Sequence, residues 1–267
     1  MPTENAGRSK FSGLADVYSK YRPFYPAEVL QMIRENIGGM AVIADIGAGT
    51  GKFTRCLCKL ENAEIICAEP NADMLEKARL SLADEARLGK VRFMQTAAED
   101  THLADSSVDI VTAAQAFHWF DAAGFKAECR RILKPHGKVL LLWNTDEKDS
   151  PIAAEISRIC AKWCGDYLIR KGLNTPMRKS AEVLSGFFDN FETKIFRNDL
   201  HFDKQAFIGN RLSRSYSLKE GDEHFDEYKA ELAEMFERYA ENGVITIPNV
   251  TECYLGEVIR QQRATTA

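Results

Sequence analysis

A chain of 267 residues, 45% hydrophobic and 28% charged, has a globular composition and is long enough to bury a sizeable core, which excludes a disordered or fibrous chain. Its 35 Lys and Arg against 39 Asp and Glu leave a formal charge of −4, so no general polyanion surface and no nucleic-acid partner is expected. The polar start Met1–Lys10 and the shortness of the most apolar stretch, Val139–Trp143, predict a cytoplasmic protein with no membrane partner.

Residues 11–26 are dense in aromatics and close on Pro23 and Pro26, which predicts a short helix and then an extended turn. From Ala27, the spacing of Val29, Leu30, Ile33 and Ile37 predicts an amphipathic helix stopped by Gly38-Gly39. A regular alternation follows. Ala41–Ile46 reads as a strand covered on both faces, Gly47–Gly51 as a glycine turn and Lys52–Leu60 as a helix. Glu64–Ala68 is the second predicted strand, followed by a helix from Asp73 to about Leu88. Val91–Gln95 and Val108–Ala113 are the third and fourth strands. Phe125–Leu133 is helical, and Lys138–Trp143 is a fifth strand after the break at Pro135-His136-Gly137. Strands and helices in this order predict an α/β fold, a doubly wound and mostly parallel sheet with right-handed crossovers.

After Asn144 the rhythm changes. Ser150-Pro151 reads as a cap and first helical position, opening a helix that carries Ile152, Ile156, Ile159 and Trp163 on one side. Phe191–Phe202 is a predicted sixth strand, Phe207–Leu212 a helix and Glu223–Tyr239 a charged amphipathic helix. Val244–Ile247 and Tyr254–Val258 form either one long bent final strand or two short ones. The seven cysteines are scattered without a C-x-x-C pair, which predicts reduced thiols and no metal site.

The most informative stretch is Asp45-Ile46-Gly47-Ala48-Gly49-Thr50-Gly51-Lys52. Glycines between a strand and a helix let the backbone approach a ligand, and the helix start offers N–H groups to its polar atoms. A phosphate-gripping P-loop fails twice, because Ile46 stands five positions before Gly51 and Phe53 follows Lys52. The dinucleotide fingerprint requires glycine where Lys52 stands. An acidic residue two before G-x-G-x-G matches fully. Glu69, 24 residues after Asp45, ends the second strand in Cys67-Ala68-Glu69-Pro70-Asn71 and suits a pair of ribose hydroxyls. Thr96–Asp100 follows the third strand, Gln115-Ala116-Phe117-His118-Trp119-Phe120 the fourth, and Arg131–Gly137 precedes the fifth.

With these motifs the sequence resembles the class I S-adenosylmethionine-dependent methyltransferases, and within them the small-molecule subgroup that includes the trans-aconitate methyltransferases. The likeness covers roughly residues 11–145, with His136 standing where the family usually has a second glycine. It implies a Rossmann-like sheet divided as an N-terminal lid segment (1–35), a cofactor-binding core (36–145) and a helical insertion with C-terminal strands completing the same sheet (146–267). The cofactor implied is S-adenosyl-L-methionine. Gly47 and Gly49 would pass under its methionine and ribose, and Asp45 would orient the amino-acid end. Glu69 would hold the ribose, Met74 would pack on the adenine face, Ala98 and Glu99 would flank the adenine, and Gln115 would stand where the backbone meets the methionine amino group.

His118 is the candidate proton acceptor, since an imidazole titrates near neutrality, with a buried structural histidine as the competing reading. Trp119 would wall the acceptor pocket, and Tyr18, Tyr21 and Arg22 belong to the implied lid. Arg211 and Arg214 are candidates for clamping a substrate carboxylate. The expected partner is a small-molecule acceptor with a carboxylate or hydroxyl, on a monomer or homodimer. Three alternatives stand beside it: a nucleic-acid or protein methyltransferase, a nicotinamide-dependent oxidoreductase, and a non-catalytic S-adenosylmethionine-binding regulatory module.

Overall fold

The computed structural model describes residues 24–147, 149–170 (backbone only for 166–170), 181–214 and 216–258. Tyr18, Tyr21 and Arg22 lie outside these residues. The strands are β1 (Ala41–Ile46), β2 (Ala63–Ala68), β3 (Val91–Met94), β4 (Val108–Ala114), β5 (Leu133–Asp146), β6 (Asn190–Arg197), β7 (Leu200–Phe202), β8 (Ile245–Ile247) and β9 (Asn249–Glu257). The helices are α1 (Ala27–Arg34), α2 (Lys52–Leu57), α3 (Ala72–Ser81), α4 (Ala83–Arg87), α5 (Ala122–Ile132), α6 (Pro151–Arg170), α7 (Ala181–Phe187), α8 (Lys204–Leu212) and α9 (Phe225–Tyr239).

Seven strands make one sheet in the order β3-β2-β1-β4-β5-β9-β6. The pairs among β1 to β5 are parallel, and β9 runs antiparallel to both β5 and β6. Alternate residues of the central strands feed two different cores, which is why their sequences read as unbroken apolar runs. Ala44, Ile46, Val111, Ala113, Leu141 and Trp143 face a core completed by α5 and α7. Ile43, Ile65, Cys67, Ile110, Leu140 and Leu142 face the opposite core, completed by α1, α2 and α3. The sheet is therefore doubly wound and Rossmann-like, and the order of β3-β2-β1-β4 places its reversal between β1 and β4.

The start of β5 is irregular, as the break at Pro135-His136-Gly137 predicts. His136 takes a left-handed φ of +67°. Glycine adopts that conformation without strain, which gives a physical reason for the family's usual residue at this position.

The predicted strand over 191–202 is corrected by the structure: it is two strands in two sheets. β6 pairs with β9, whereas β7 forms a ribbon with β8. The chain turns at Asn198, whose side chain donates to the Phe24 carbonyl, Asn144 Oδ1 and Thr251 Oγ1. The predicted helix from Asp73 to about Leu88 is likewise broken into α3 and α4 at Leu82, which is fully buried. The final strands resolve as two, β8 in the ribbon and β9 in the main sheet.

A third core lies apart from the sheet. Ile156 and Ile159 of α6, Phe207 of α8, Tyr228, Leu232, Met235 and Phe236 of α9 and the ribbon residues Leu200, Ile245 and Ile247 pack together. Ser150 Oγ accepts from Ala153 N at the start of α6, the N-cap bond expected of Ser150-Pro151.

Candidate active site

The carboxyl ends of β1, β2, β4 and β5 bring Asp45, Glu69, Gln115 and Asp146 to one edge of the sheet, the edge at which open parallel sheets bind ligands. The glycine turn after β1 is built by two different constraints. Gly47 has φ +67°, and a Cβ there would lie 2.7 Å from Ala116 Cβ and 2.9 Å from the Phe120 ring. Gly49 has φ +57°, and a Cβ there would meet nothing within 4 Å. Gly47 is thus required by the protein's own packing, and Gly49 faces open space beside the carboxylate of Glu69.

These surroundings predict opposite signatures for two alanine substitutions. Gly47→Ala is expected to lower stability by about 2–3 kcal/mol, from overpacking and the left-handed backbone. Gly49→Ala is expected to cost only about 1–2 kcal/mol but to weaken strongly the binding of the cofactor that the sequence resemblance implies, because its methyl group would fill the open space beside Glu69. Denaturant melts and cofactor titrations of both variants check this. Equal stability losses would contradict the distinction.

Asp45 is fully buried and its two oxygens accept hydroxyl hydrogen bonds, Oδ2 from Thr54 Oγ1 at 2.6 Å and Oδ1 from Thr112 Oγ1 at 2.8 Å. Thr112 is its register partner on β4. Asp45 therefore ties β1, β4 and α2 together beneath the turn. Burial is the main influence on its carboxyl, outweighing the threonine bonds and aided by the Glu69 charge, and it pushes the pKa up to about 6 from 3.8.

A carboxyl that holds its proton more tightly when folded makes the protein most stable below the unfolded pKa. Stability then falls as pH rises through the folded pKa, here between pH 3.8 and about 6. Asp45→Asn removes that loss and is expected to be the more stable protein at pH 7.5, by on the order of 1–3 kcal/mol, with the gap closing at pH 4. Urea melts at both pH values test it; a difference that does not change with pH would refute it.

Glu69 is 8% exposed. Its Oε2 accepts from Gly49 N and its Oε1 from Asn71 N, both at 2.9 Å. Burial pushes its carboxyl up, and the two backbone N–H groups pull it back part of the way. Each oxygen keeps a second lone pair, so both remain able to accept from a vicinal diol. Asn71 also caps α3 by accepting from Met74 N, which fixes the first turn of that helix against Glu69. Met74 is 3% exposed and Ala98 4%. Glu99 Oε1 accepts from Asp121 N at the start of α5, so this acid holds the helix beside the loop rather than projecting freely.

Gln115 leaves β4 with a left-handed φ of +57°, an uncommon conformation for a residue with a side chain. Its backbone N donates to Leu142 O and its Nε2 to Asn144 O, both at 2.9 Å, so the side chain braces the end of β5. The sharp exit sets up the single turn of 3-10 helix Phe117–Trp119. There His118 and Trp119 are half-buried, with ring centroids 5.0 Å apart. The described chain begins over the same edge: Lys52 Nζ lies 4.7 Å from the Phe24 ring centroid, and the Tyr25 and Phe53 rings meet edge to face at 4.8 Å.

Arg211 is 2% exposed and is already paired, its Nη1 donating to Asp146 Oδ2 at 2.9 Å and its Nε and Nη2 to Asn210 Oδ1. Arg214 Nη2 stands 3.8 Å from Asp146 Oδ1. Burial alone would raise the Asp146 carboxyl, but the two guanidiniums and the bonds from Arg211 and Asn249 outweigh it and hold the pKa at about 2. The sequence reading missed Asp146, although it carries the same signal as Asp45 and Glu69, an acid at a strand's carboxyl end. Asp146 lines a cleft of about 540 Å³ together with Ile156, Ser157, Cys160 and Tyr216. Among the described residues no group of three or more His, Cys, Asp or Glu could hold a metal ion, and no helix is long and apolar enough to cross a membrane.

Comparison with known proteins agrees with this geometry. The methyltransferase domain model matches residues 44–141. An uncharacterized methyltransferase of Mycobacterium tuberculosis is 33% identical over 213 residues, covering 78% of this chain and 77% of that protein. One from Schizosaccharomyces pombe is 28% identical over 215 residues, 79% of each. The structure of a candidate type II methyltransferase from Anaeromyxobacter dehalogenans shares the fold, with a TM-score of 0.60 at 22% identity over 90% of this chain and 100% of that one. Kinship along most of both chains, on a sheet of this order, makes the protein a member of the class I S-adenosylmethionine-dependent methyltransferases.

Proposed function

We propose that the enzyme transfers the methyl group of S-adenosylmethionine to a small organic acceptor through a carboxylate or hydroxyl oxygen. The observation that carries the cofactor assignment is the buried Glu69 carboxylate beside Gly49, where a missing Cβ leaves open space. The residues fit the cofactor: Glu69 accepts from the ribose hydroxyls, Gly47 and Gly49 shape the turn beneath it, and Asp45 holds that turn. Met74, Ala98 and Glu99 form the adenine side, and Gln115 sets the backbone near the methionine end. When bound, S-adenosylmethionine supplies a methyl group already activated on a sulfonium. The protein's own work is to orient the acceptor, exclude water and manage any proton.

The cleft beside Asp146 has the size of a small-molecule site and mostly apolar walls. We assign it to the acceptor. Arg211 holds Asp146 in place, and Arg214 is the arginine assigned to an acidic group on the acceptor. Calorimetric titration with S-adenosylmethionine beside NAD tests the cofactor. Saturable binding of the first alone is expected, and a preference for NAD would overturn the reading. Transfer of labelled methyl to a panel of small organic acids and alcohols, beside RNA and protein, tests the acceptor class; label appearing only in a macromolecule would reject it.

A further inference from the structure

Cys160 and Cys164 lie one turn apart on α6. A spacing of four puts their side chains on the same face of the helix, with Cβ atoms about 5–6 Å apart. The Cys160 thiol donates a hydrogen bond to the Cys164 sulfur. The two differ in access. Cys164 is fully buried, whereas Cys160 is half-buried and lines the cleft of about 540 Å³ with Asp146, Ser157 and Tyr216.

The surroundings favour one shared proton. Besides Cys160, the Leu218 N–H and the Tyr228 hydroxyl donate to Cys164, and the Lys219 charge adds to them. Tyr228 is itself held by Ser217, whose hydroxyl donates to Tyr228 Oη at 3.2 Å. The bond from Cys160 is the largest influence, and with the others it outweighs burial and brings the Cys164 thiol down to about 7 from 9.0. The same bond pushes the Cys160 thiol up, as does burial, while the guanidiniums of Arg211 and Arg214 pull it down. Asp146, in the same cleft, is paired with those two arginines. Above neutrality the two sulfurs therefore hold one proton and one negative charge between them.

We propose that Cys160 is a covalent modification site, a thiol that the cleft presents to small electrophiles such as hydroperoxides and whose proton Cys164 accepts. With hydrogen peroxide, the Cys160 sulfur forms an S–O bond as the O–O bond breaks and hydroxide leaves. The Cys160 proton passes to the Cys164 thiolate. Sulfur is oxidised by two electrons to a sulfenic acid and the peroxide is reduced. A disulfide does not follow without deforming α6, because Cβ atoms about 5–6 Å apart exceed the roughly 3.5–4.5 Å that a disulfide spans. The oxidised group thus stays on the wall of the cleft. The site stands independently of the acceptor assignment, and only its effect on methyl transfer rests on that reading.

Iodoacetamide labelling of the full chain from pH 6 to pH 10, read by peptide mass spectrometry, tests the site. Cys160 is expected to be the first of the seven cysteines alkylated at pH 7, about tenfold or more ahead of Cys58. Cys58 is the control for access, since it is also half-buried and burial pushes its thiol up to about 12. Cys164→Ala removes the proton acceptor. It should slow Cys160 about 3–10-fold at pH 7 and move its rate midpoint up to the ordinary value of about 8.5. Hydrogen peroxide followed by dimedone, which captures sulfenic acids, should place the adduct on Cys160. Cys58 reacting as fast as Cys160, a Cys160 profile unchanged in Cys164→Ala, or a dimedone adduct missing from Cys160 each overturns the inference. If the variant does not fold, the wild-type labelling order and dimedone adduct decide. None of these readings uses S-adenosylmethionine, so their failure leaves the proposed function standing.

Discussion

Arg211→Met is expected to lower the stability of the folded protein by about 2–3 kcal/mol, because it takes from the half-buried Asp146 carboxylate its principal partner. The pair lies at the junction of the sheet and the third core, with Asp146 ending β5 and Arg211 in the last turn of α8. Asn249 at the start of β9 also donates to Asp146, so three segments distant in sequence meet on this carboxylate. Methionine keeps most of the arginine's apolar bulk, so the loss reports on charge rather than on a void. Adding Asp146→Asn should recover most of it, since removing both members of a buried pair is often close to neutral. Thermal melts of the two single variants and the double variant read the coupling, with a fall in Tm on the order of 10 °C expected for Arg211→Met. A melt within about 2 °C of wild type would show that the ion pair contributes little. Low pH gives an independent reading. Asp146 is held at about 2 against an ordinary 3.8, so the wild type keeps this stabilisation above pH 3.8 and loses it as pH falls through 2.

The same residue shows where reading the sequence stops. Arginine in a helical pattern suggests an exposed clamp, and nothing local says that Arg211 is 2% exposed; its ionic partner lies 65 residues earlier. The doubly wound core was legible because its signals are local, in short apolar runs, glycine turns and acids at strand ends. Asp45 and Glu69 were found by that logic, and the partners that define their geometry follow the register. Thr112 stands opposite Asp45 across β1 and β4, and Gly49 reaches Glu69 across neighbouring strand ends. The turn at Asn198 was not legible, because its hydrogen bonds go to residues 174, 54 and 53 positions away. An uninterrupted β-like pattern over 191–202 could not reveal that its two halves belong to different sheets. The bond from Trp143 to His118 was hidden for a related reason. Trp143 reads as one more apolar residue of a central strand, and its N–H meets His118 Nδ1 only once β5 lies beside the turn that carries His118.

Asn144 links these regions. Its Oδ1 accepts from Thr251 and Asn198, its Nδ2 donates to Phe24 O, and its backbone O accepts from Gln115. One side chain and its carbonyl thereby join the incoming chain, the exit from β4 and the antiparallel end of the sheet at the edge that carries the candidate site. Side chains in such a network lose little further freedom when a ligand arrives, so binding there costs less entropy than it would on an unbraced loop.

Glu69→Ala is expected to weaken S-adenosylmethionine binding about 100-fold. Each charge-assisted hydrogen bond to a ribose hydroxyl contributes about 1.5–3 kcal/mol, and a partial loss of the pair amounts to roughly 3 kcal/mol. The substitution also strips Gly49 N and Asn71 N of their acceptor, for which a stability loss of about 1–3 kcal/mol is expected. Affinity and folding must therefore be measured separately, by calorimetry on protein shown by its melt to be folded at the titration temperature. An analogue of the cofactor lacking both ribose hydroxyls separates a direct contact from a disturbed loop. It should bind the wild type about as weakly as the variant binds the intact cofactor, and the variant should not distinguish the two ligands. If Glu69 acted only by holding the glycine turn, the variant would still lose affinity when the hydroxyls were removed, and the two losses would add. Non-additivity between the carboxylate and the hydroxyls is thus the result expected of a ribose ligand, because each loss removes the same pair of bonds.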